Sequence, residues 1–279
     1  AAQLPTIRGL SDDWVLWTTG PETSGPWTLY ARRLPLDGSS NVVLLSANVG
    51  DFANLSGIWT RGDIALVTGA MAHDGTELVR IDLASGAQTV LASASSGHVF
   101  TDPSALNGAY YWADVTLDPF DGLSSTFQRL DAAGGRPAPV VTATTCFEPA
   151  ATRGTLVWVD VPRESLRMQT ASADPLTPYS EATLSYPLAG ALRVQSGGMT
   201  LADDAVAASM QAGGNLVVWQ TSADPETRAD IWYSFDLATH GASPWSRALS
   251  SAAGIAITDS AVVWWTRADA TTLYVAPAA

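Results

Sequence analysis

A short apolar segment ending in an aromatic or β-branched residue recurs six times along the chain. The copies are Trp14-Val15-Leu16-Trp17, Ile64-Ala65-Leu66-Val67, Ala109-Tyr110-Tyr111-Trp112, Leu156-Val157-Trp158, Val217-Val218-Trp219 and Val262-Val263-Trp264. Measured at the last residue, the intervals are 50, 45, 46, 61 and 45 residues. Periods of roughly 40–50 residues are typical of the four-stranded blade of a β-propeller. This repeat constrains the fold more than any other feature of the sequence.

Further strand patterns follow each copy. After the second copy, residues 77–83 and 88–92 alternate apolar and polar side chains, with the turn Ala84-Ser85-Gly86 between them. Such alternation between glycine turns indicates a β-meander. After the sixth copy a single strand pattern remains, at residues 273–275, whereas residues 2–5 form a spare one before the first copy. We therefore predict one all-β domain over residues 1–279, a six-bladed β-propeller whose N-terminal strand closes the last blade.

Two motifs resemble the repeats of known propeller families. Residues 77–86 resemble the repeat of TolB-like propellers. Tyr111-Trp112-Ala113-Asp114 and Val157-Trp158-Val159-Asp160 resemble the YWTD repeat of receptor propellers, although the copies at Trp17, Trp219 and Trp264 lack its acid. Both resemblances imply a six-bladed propeller that binds a partner. They do not identify the ligand, because one fold hosts many functions.

Charge and composition narrow the classes of partner. The net charge is −13, from 27 acidic and 14 basic residues, and every basic residue is an arginine. Such a surface repels nucleic acid and anionic lipid, and the apolar runs are strand-sized, so we expect neither nucleic-acid binding nor membrane insertion. The single cysteine, Cys146, excludes an internal disulfide. The chain begins as an exported protein does after cleavage of its signal peptide, which predicts a secreted or periplasmic location.

One pair of acids stands out against the repeat. Asp102 lies ten residues before Trp112 and Glu148 ten residues before Trp158, and each is followed by a proline. Equivalent positions in adjacent blades therefore carry two carboxylates, which we place at the starts of strands near the mouth of the central channel. Paired carboxylates can share a proton or hold a hard cation such as Ca²⁺. Alternatively, they are ordinary acids bonded to solvent or to free backbone N–H groups.

Other candidate ligand-binding residues fall near the same predicted mouth, namely His73, His98, Asp114, Cys146 and Asp160. His98, Cys146 and Glu148 together would suit a soft metal or a cysteine nucleophile. A lone cysteine in a β-sheet core is more often an inert, small apolar residue. The recurrent tryptophans are predicted to fill the core between sheets rather than to form a sugar-stacking platform.

No catalytic motif with a defined spacing occurs in the chain. The first hypothesis is therefore a non-catalytic binding or scaffold propeller that presents an acidic loop face to a protein or a small-molecule ligand. The alternative is a propeller hydrolase, lyase or lactonase that uses the channel carboxylates with a divalent cation. A lectin is a third option, but the blades differ too much for a ring of identical sugar sites.

Overall fold

Six sheets, each made of strands that follow one another in the chain, account for most of the structure. The computed structural model describes residues 6–19, 28–35, 42–46, 52–71, 75–118, 122–141, 145–163, 165–166, 189–221, 232–244, 252–266 and 274–277. Within these residues, no helix is long and apolar enough to cross a membrane.

The sheets are numbered in chain order. Sheet 1 contains β1 (Thr6–Leu10), β2 (Trp14–Thr19), β3 (Thr28–Arg33) and β4 (Val42–Ser46), and sheet 2 contains β5 (Phe52–Arg61), β6 (Ile64–Met71), β7 (Thr76–Asp82) and β8 (Gln88–Ala94). Sheet 3 contains β9 (His98–Leu106), β10 (Ala109–Asp118), β11 (Gly122–Asp131) and β12 (Ala138–Pro139), and sheet 4 contains β13 (Cys146–Ala151), β14 (Leu156–Asp160), β15 (Ala189–Val194) and β16 (Thr200–Val206). Sheet 5 contains β17 (Gln211–Gly213), β18 (Leu216–Gln220), β19 (Trp232–Asp236) and β20 (Gly241–Pro244), and sheet 6 contains β21 (Ala252–Ile257), β22 (Ala261–Thr266) and β23 (Tyr274–Pro277).

The recurrent segments are the second strands of their sheets, namely β2, β6, β10, β14, β18 and β22. Each pairs antiparallel with the strand after it, as the repeat predicts. A further strand precedes each of them in its sheet, and the sequence pattern did not indicate it. In sheet 2 that strand is β5, whose Asn54-Leu55-Ser56-Gly57 lacks the alternation by which a strand is recognised.

The sixth sheet has three strands among the described residues, whereas the other five have four. Its only strand after the recurrent segment is β23, as the sequence predicts. The predicted closing strand, residues 2–5, lies outside the described residues.

The chain forms two compact units, Ala1–Ser104 and Ala105–Ala279, and the division falls within β9. Unit 1 has a core of nine buried apolar side chains from sheets 1 and 2: Trp14, Leu16, Leu29, Ala31, Ala65, Val67, Val79, Ile81 and Leu83. Among its described residues, unit 2 has two such clusters. One is formed by Leu106, Ala109, Tyr111, Phe127, Cys146, Ala151, Leu156 and Trp158, and the other by Leu216, Val218, Trp232, Ile255 and Val262.

The tryptophans of the repeat lie mostly in the core. Trp112, Trp158 and Trp219 are 1%, 9% and 4% exposed, which confirms the predicted packing role for these three. Trp17 and Trp264 are half-buried, and each stacks on a tyrosine of the next strand, with ring centroids 5.6 and 5.5 Å apart. Stacked aromatic pairs stabilise neighbouring strands beyond the area that they bury.

Two kinds of tight turn join the first and second strands. In sheet 3, Asn107 and Gly108 have φ angles of 50° and 74°, which suits a type I′ hairpin turn. In sheet 4, the Thr152 hydroxyl accepts a hydrogen bond from the Thr155 N–H at 3.1 Å, and the Thr258 hydroxyl of sheet 6 bonds the Ala261 N–H at 3.0 Å. These hydroxyls satisfy turn amides that the sheet cannot reach.

Candidate functional site

Asp102 and Glu148 both lie within the first strand of a sheet and not at its start, so the prediction that they begin strands is wrong. Their backbones are left-handed, with φ of 48° at Asp102 and 50° at Glu148. In β13 the pairing register shifts between Phe147 and Ala150, which defines a β-bulge around Glu148. A bulge redirects a side chain, and it interrupts the alternation that marks a strand in sequence.

Left-handed backbone is unusual for these residues. It costs roughly 1–2 kcal/mol for an L-residue with a side chain, and aspartate tolerates it better than glutamate. The proline that follows each acid adds a further restriction, since the residue before a proline favours extended backbone. Both prolines, Pro103 and Pro149, are buried. The same strained arrangement therefore occurs at the position that the repeat makes equivalent in two sheets.

A hydroxyl group from another sheet bonds the backbone two residues before each acid. In unit 1, the Phe100 N–H donates to the Thr76 hydroxyl at 3.1 Å. In unit 2, the Ser125 hydroxyl donates to the Cys146 carbonyl at 2.5 Å. Both hydroxyl side chains are buried. Sequence analysis missed these anchors, because each joins residues more than twenty positions apart.

The Asp102 carboxyl group is half-buried, and burial raises its pKa from 3.8 to about 6. The Thr101 hydroxyl opposes this shift, because it donates a hydrogen bond to the carboxylate. A carboxyl group that titrates in this range can exchange protons near neutral pH, whereas an exposed aspartate cannot. Glu148 is also half-buried.

Cys146 is fully buried in the core of unit 2, with 0% of its surface exposed. Burial is the main cause that raises the pKa of its thiol to about 12, and the charge of Asp160 adds to it. Because the thiolate is the nucleophile and the metal ligand, this position argues against the predicted reactive role. The burial matches the alternative reading of an apolar core residue.

Asp160 ends β14 opposite Cys146 in the pairing register. Its carboxylate accepts a hydrogen bond from the Thr145 hydroxyl at 2.5 Å, and the Arg193 Nε lies 3.9 Å away. Gly190 allows this approach of β15, since a Cβ there would lie 2.2 Å from the Asp160 carbonyl oxygen. Asp160 is therefore held by a local polar network.

Two further predicted residues, Asp114 and His98, lie on strands of sheet 3. Asp114 is half-buried on β10, opposite Thr126 of β11. His98 is half-buried at the first position of β9. His73 lies outside the described residues. Across the part of the chain that the structure describes, no group of three or more His, Cys, Asp or Glu side chains is placed to hold a metal ion.

The arrangement of sheets is similar to that of several solved structures. The β-propeller domain of the trilobed protease from Pyrococcus furiosus aligns with a TM-score of 0.59 at 10% identity, over 99% of this chain and 83% of that one. The fold is a β-propeller. TolB from Acinetobacter baumannii aligns with the propeller at a TM-score of 0.53 and 12% identity, over 86% of this chain. The propeller spans 53% of the length of that TolB.

Oligogalacturonate lyase from Vibrio parahaemolyticus also resembles the propeller, with a TM-score of 0.50 and 10% identity over 98% of this chain and 89% of that one. No family model matches the sequence, and no curated protein matches it. At these identities the likeness concerns the fold alone. It confirms the resemblance to TolB-like propellers at the level of fold, whereas the likeness to receptor propellers stays a prediction.

Proposed function

We propose that this propeller binds a protein or a small-molecule ligand, and that Asp102 and Glu148 are each a ligand-binding carboxylate. The observation that carries the proposal is the recurrence of left-handed backbone at two acids that precede proline. Strained backbone persists where the surrounding structure enforces it, and it is concentrated at functional sites. The buried hydroxyl anchors at Phe100 and Cys146 provide that enforcement.

The proposal includes a finer account of the fold. The six sheets are the six blades of the propeller, and residues 2–5 add the fourth strand to the last blade. The count of strands supports this, since sheet 6 has three described strands where the other sheets have four. Completing the sheet would cover an edge on which Val275 is 66% exposed.

The charge of the chain favours a ligand that carries positive charge. With a net charge of −13, the protein attracts cations and basic segments and repels polyanions. Ammonium and guanidinium groups are the natural partners of carboxylates on a half-buried surface.

We also propose that the protein is exported, which cell fractionation with an antibody against the chain would test.

Calorimetric titration with a short arginine-rich peptide tests the binding proposal. Asp102→Asn and Glu148→Gln should each weaken binding at least several-fold, since each removes one charge from the site. Asp13→Asn is the matched control, because it removes one charge from an exposed turn residue between β1 and β2. Equal affinity of all four proteins for the peptide would contradict the proposal.

The second candidate function is an enzyme, a propeller hydrolase, lyase or lactonase that uses these carboxylates with a divalent cation such as Ca²⁺. The raised pKa of Asp102 favours it, since a carboxyl group that titrates near pH 6 can serve as a general acid or base. The likeness to an oligogalacturonate lyase supports it at the level of fold. A metal-free elemental analysis, with no change of melting temperature on adding Ca²⁺, would contradict it.

A further inference from the structure

Gly57 occupies in sheet 2 the position that Asp102 occupies in sheet 3. It lies on β5, ten residues before Val67 of the recurrent segment, as Asp102 lies ten residues before Trp112. In the pairing register of sheet 2, Gly57 lies opposite Thr68 of β6. The position that carries an acid in two sheets is therefore a glycine in the sheet before them.

The surroundings of Gly57 leave no room for a side chain. A Cβ at this residue would lie 2.7 Å from the Cδ of Pro103, 2.8 Å from the backbone nitrogen of Asp102 and 2.9 Å from the Thr68 hydroxyl oxygen. Contacts below 3.0 Å force something to shift. Two of these three atoms belong to the Asp102–Pro103 segment of β9, and the third belongs to a fully buried threonine.

The backbone of Gly57 gives no second reason for a glycine. Its φ lies outside the left-handed region, in contrast to Gly62 in the following turn, where φ is 55°. Any L-residue can adopt a strand conformation, so conformational freedom does not explain the glycine. The close approach of another backbone is therefore the reason that residue 57 is a glycine.

We propose that Gly57 is a positioning residue that acts through Asp102. Because Gly57 has no side chain, the Asp102–Pro103 segment packs directly against β5, and this contact sets how deeply the Asp102 carboxyl group is held. The inference rests on the proposed function, in which that carboxylate binds the ligand. Gly57 itself touches no ligand in this account.

Carbon-13 NMR titration of the Asp102 carboxyl group, assigned by its loss in Asp102→Asn, tests the inference. In Gly57→Ala the added methyl group displaces the Asp102–Pro103 segment. The titration midpoint of the Asp102 carboxyl group should therefore fall from the wild-type value toward that of an exposed aspartate. The control is Gly86→Ala, whose Cβ would meet nothing within 4 Å but whose φ of 73° makes it comparably strained. It should titrate as the wild type does. An unchanged Asp102 midpoint in Gly57→Ala would overturn the inference.

A second variant covers the case in which Gly57→Ala does not fold. Pro103→Ala removes the Cδ atom that the new methyl group would meet, so the double variant Gly57→Ala/Pro103→Ala should regain folded structure that Gly57→Ala lacks. A double variant that is as unfolded as Gly57→Ala, while Pro103→Ala alone folds, would contradict the direct contact. Failure of the proposed function is recognised separately. In that case Gly57→Ala shifts the Asp102 midpoint, but Asp102→Asn binds the arginine-rich peptide as well as the wild type does.

Discussion

The first strands β9 and β13 are anchored at the same position, two residues before an acid that precedes a buried proline. In both strands a hydroxyl group donates to the backbone carbonyl at this position, from Ser56 to Phe100 in β9 and from Ser125 to Cys146 in β13. In β9 the Thr76 hydroxyl provides a further anchor, because it accepts a hydrogen bond from the Phe100 N–H. A hydroxyl can do either, because it is both donor and acceptor. The difference is that β9 has a backbone N–H as well as a carbonyl satisfied from outside its strand.

Removing the β9 anchor should have the largest effect on stability. Thr76→Val keeps the shape of the side chain, but it leaves the buried Phe100 N–H without its partner and also removes the bond to the Gly69 carbonyl at 3.0 Å. We expect a loss of about 2–3 kcal/mol in the free energy of unfolding, measured with urea. Thr76→Ser keeps the hydroxyl and is the control. Equal stability of Thr76→Val and Thr76→Ser would show that the Thr76 hydroxyl does not contribute to the free energy of unfolding.

Asp102→Asn should change the pH dependence of stability. Burial raises the pKa of Asp102 from 3.8 to about 6, so the folded state binds the proton more tightly than the unfolded state. The wild type therefore loses stability as the pH rises from about 4 to above 6, and the loss is complete above that range. The variant does not titrate there. At pH 8 it should be more stable than the wild type by about 1–2 kcal/mol, because solvent at the half-buried site weakens the full effect.

Urea unfolding at pH 4 and pH 8 measures this difference. At pH 4 the Asp102 carboxyl group is protonated in the folded state, so the advantage of the Asn variant should be nearly lost. A constant difference at both pH values would mean that the Asp102 pKa is not raised.

The β13 anchor should matter less than the β9 anchor. Ser125→Ala removes the donor to the Cys146 carbonyl, and an under-satisfied carbonyl is tolerated better than a buried N–H group. The expected loss is about 1 kcal/mol in the free energy of unfolding. Ser124→Ala on the same strand removes a half-buried hydroxyl bond to the Thr116 hydroxyl at 2.7 Å, so it is the control for loss of a side-chain bond that does not anchor β13. A loss larger than that of Thr76→Val would reverse the comparison.

The smallest effect should come from relieving strain at Glu148. Asparagine adopts left-handed backbone more readily than glutamate or glutamine, so Glu148→Asn should be more stable than Glu148→Gln by about 0.5 kcal/mol. The comparison with Gln separates strain from the loss of charge, since both variants are neutral. Thermal unfolding at pH 7 would measure the difference. If Glu148→Gln were more stable than Glu148→Asn, the claim that the left-handed backbone at residue 148 is strained would be contradicted.

The sequence alone predicted the recurrent strands and the equivalent positions of the two acids in their sheets, because both follow from the spacing of residues along the chain. The apolar segments ending at Trp112 and Trp158 recur at a fixed interval, and counting back ten residues locates Asp102 and Glu148. The sequence did not predict the first strand of each sheet. Thr101-Asp102-Pro103-Ser104, for example, has the composition of a turn and lacks the period of two on which strand recognition depends.

The hydroxyl bonds to Phe100 and Cys146, and the burial of Cys146, could not be predicted from the sequence for another reason. Thr76 and Phe100 lie 24 residues apart, so no local pattern joins them. The sequence favoured a core position for the cysteine but left a reactive rim open, and only packing against neighbours such as Leu156 decides between them. The role of Gly57 depends likewise on the approach of a strand from the next sheet. One small residue ten positions before Val67 was the only available signal.

A crystal structure that resolves the backbone of β9 and β13 tests the central claim most directly. The account predicts φ near +50° at both Asp102 and Glu148, each inside the first strand of its sheet and each with a hydroxyl bound two residues earlier. Extended backbone at either acid, or an acid placed in a loop between sheets, would contradict it.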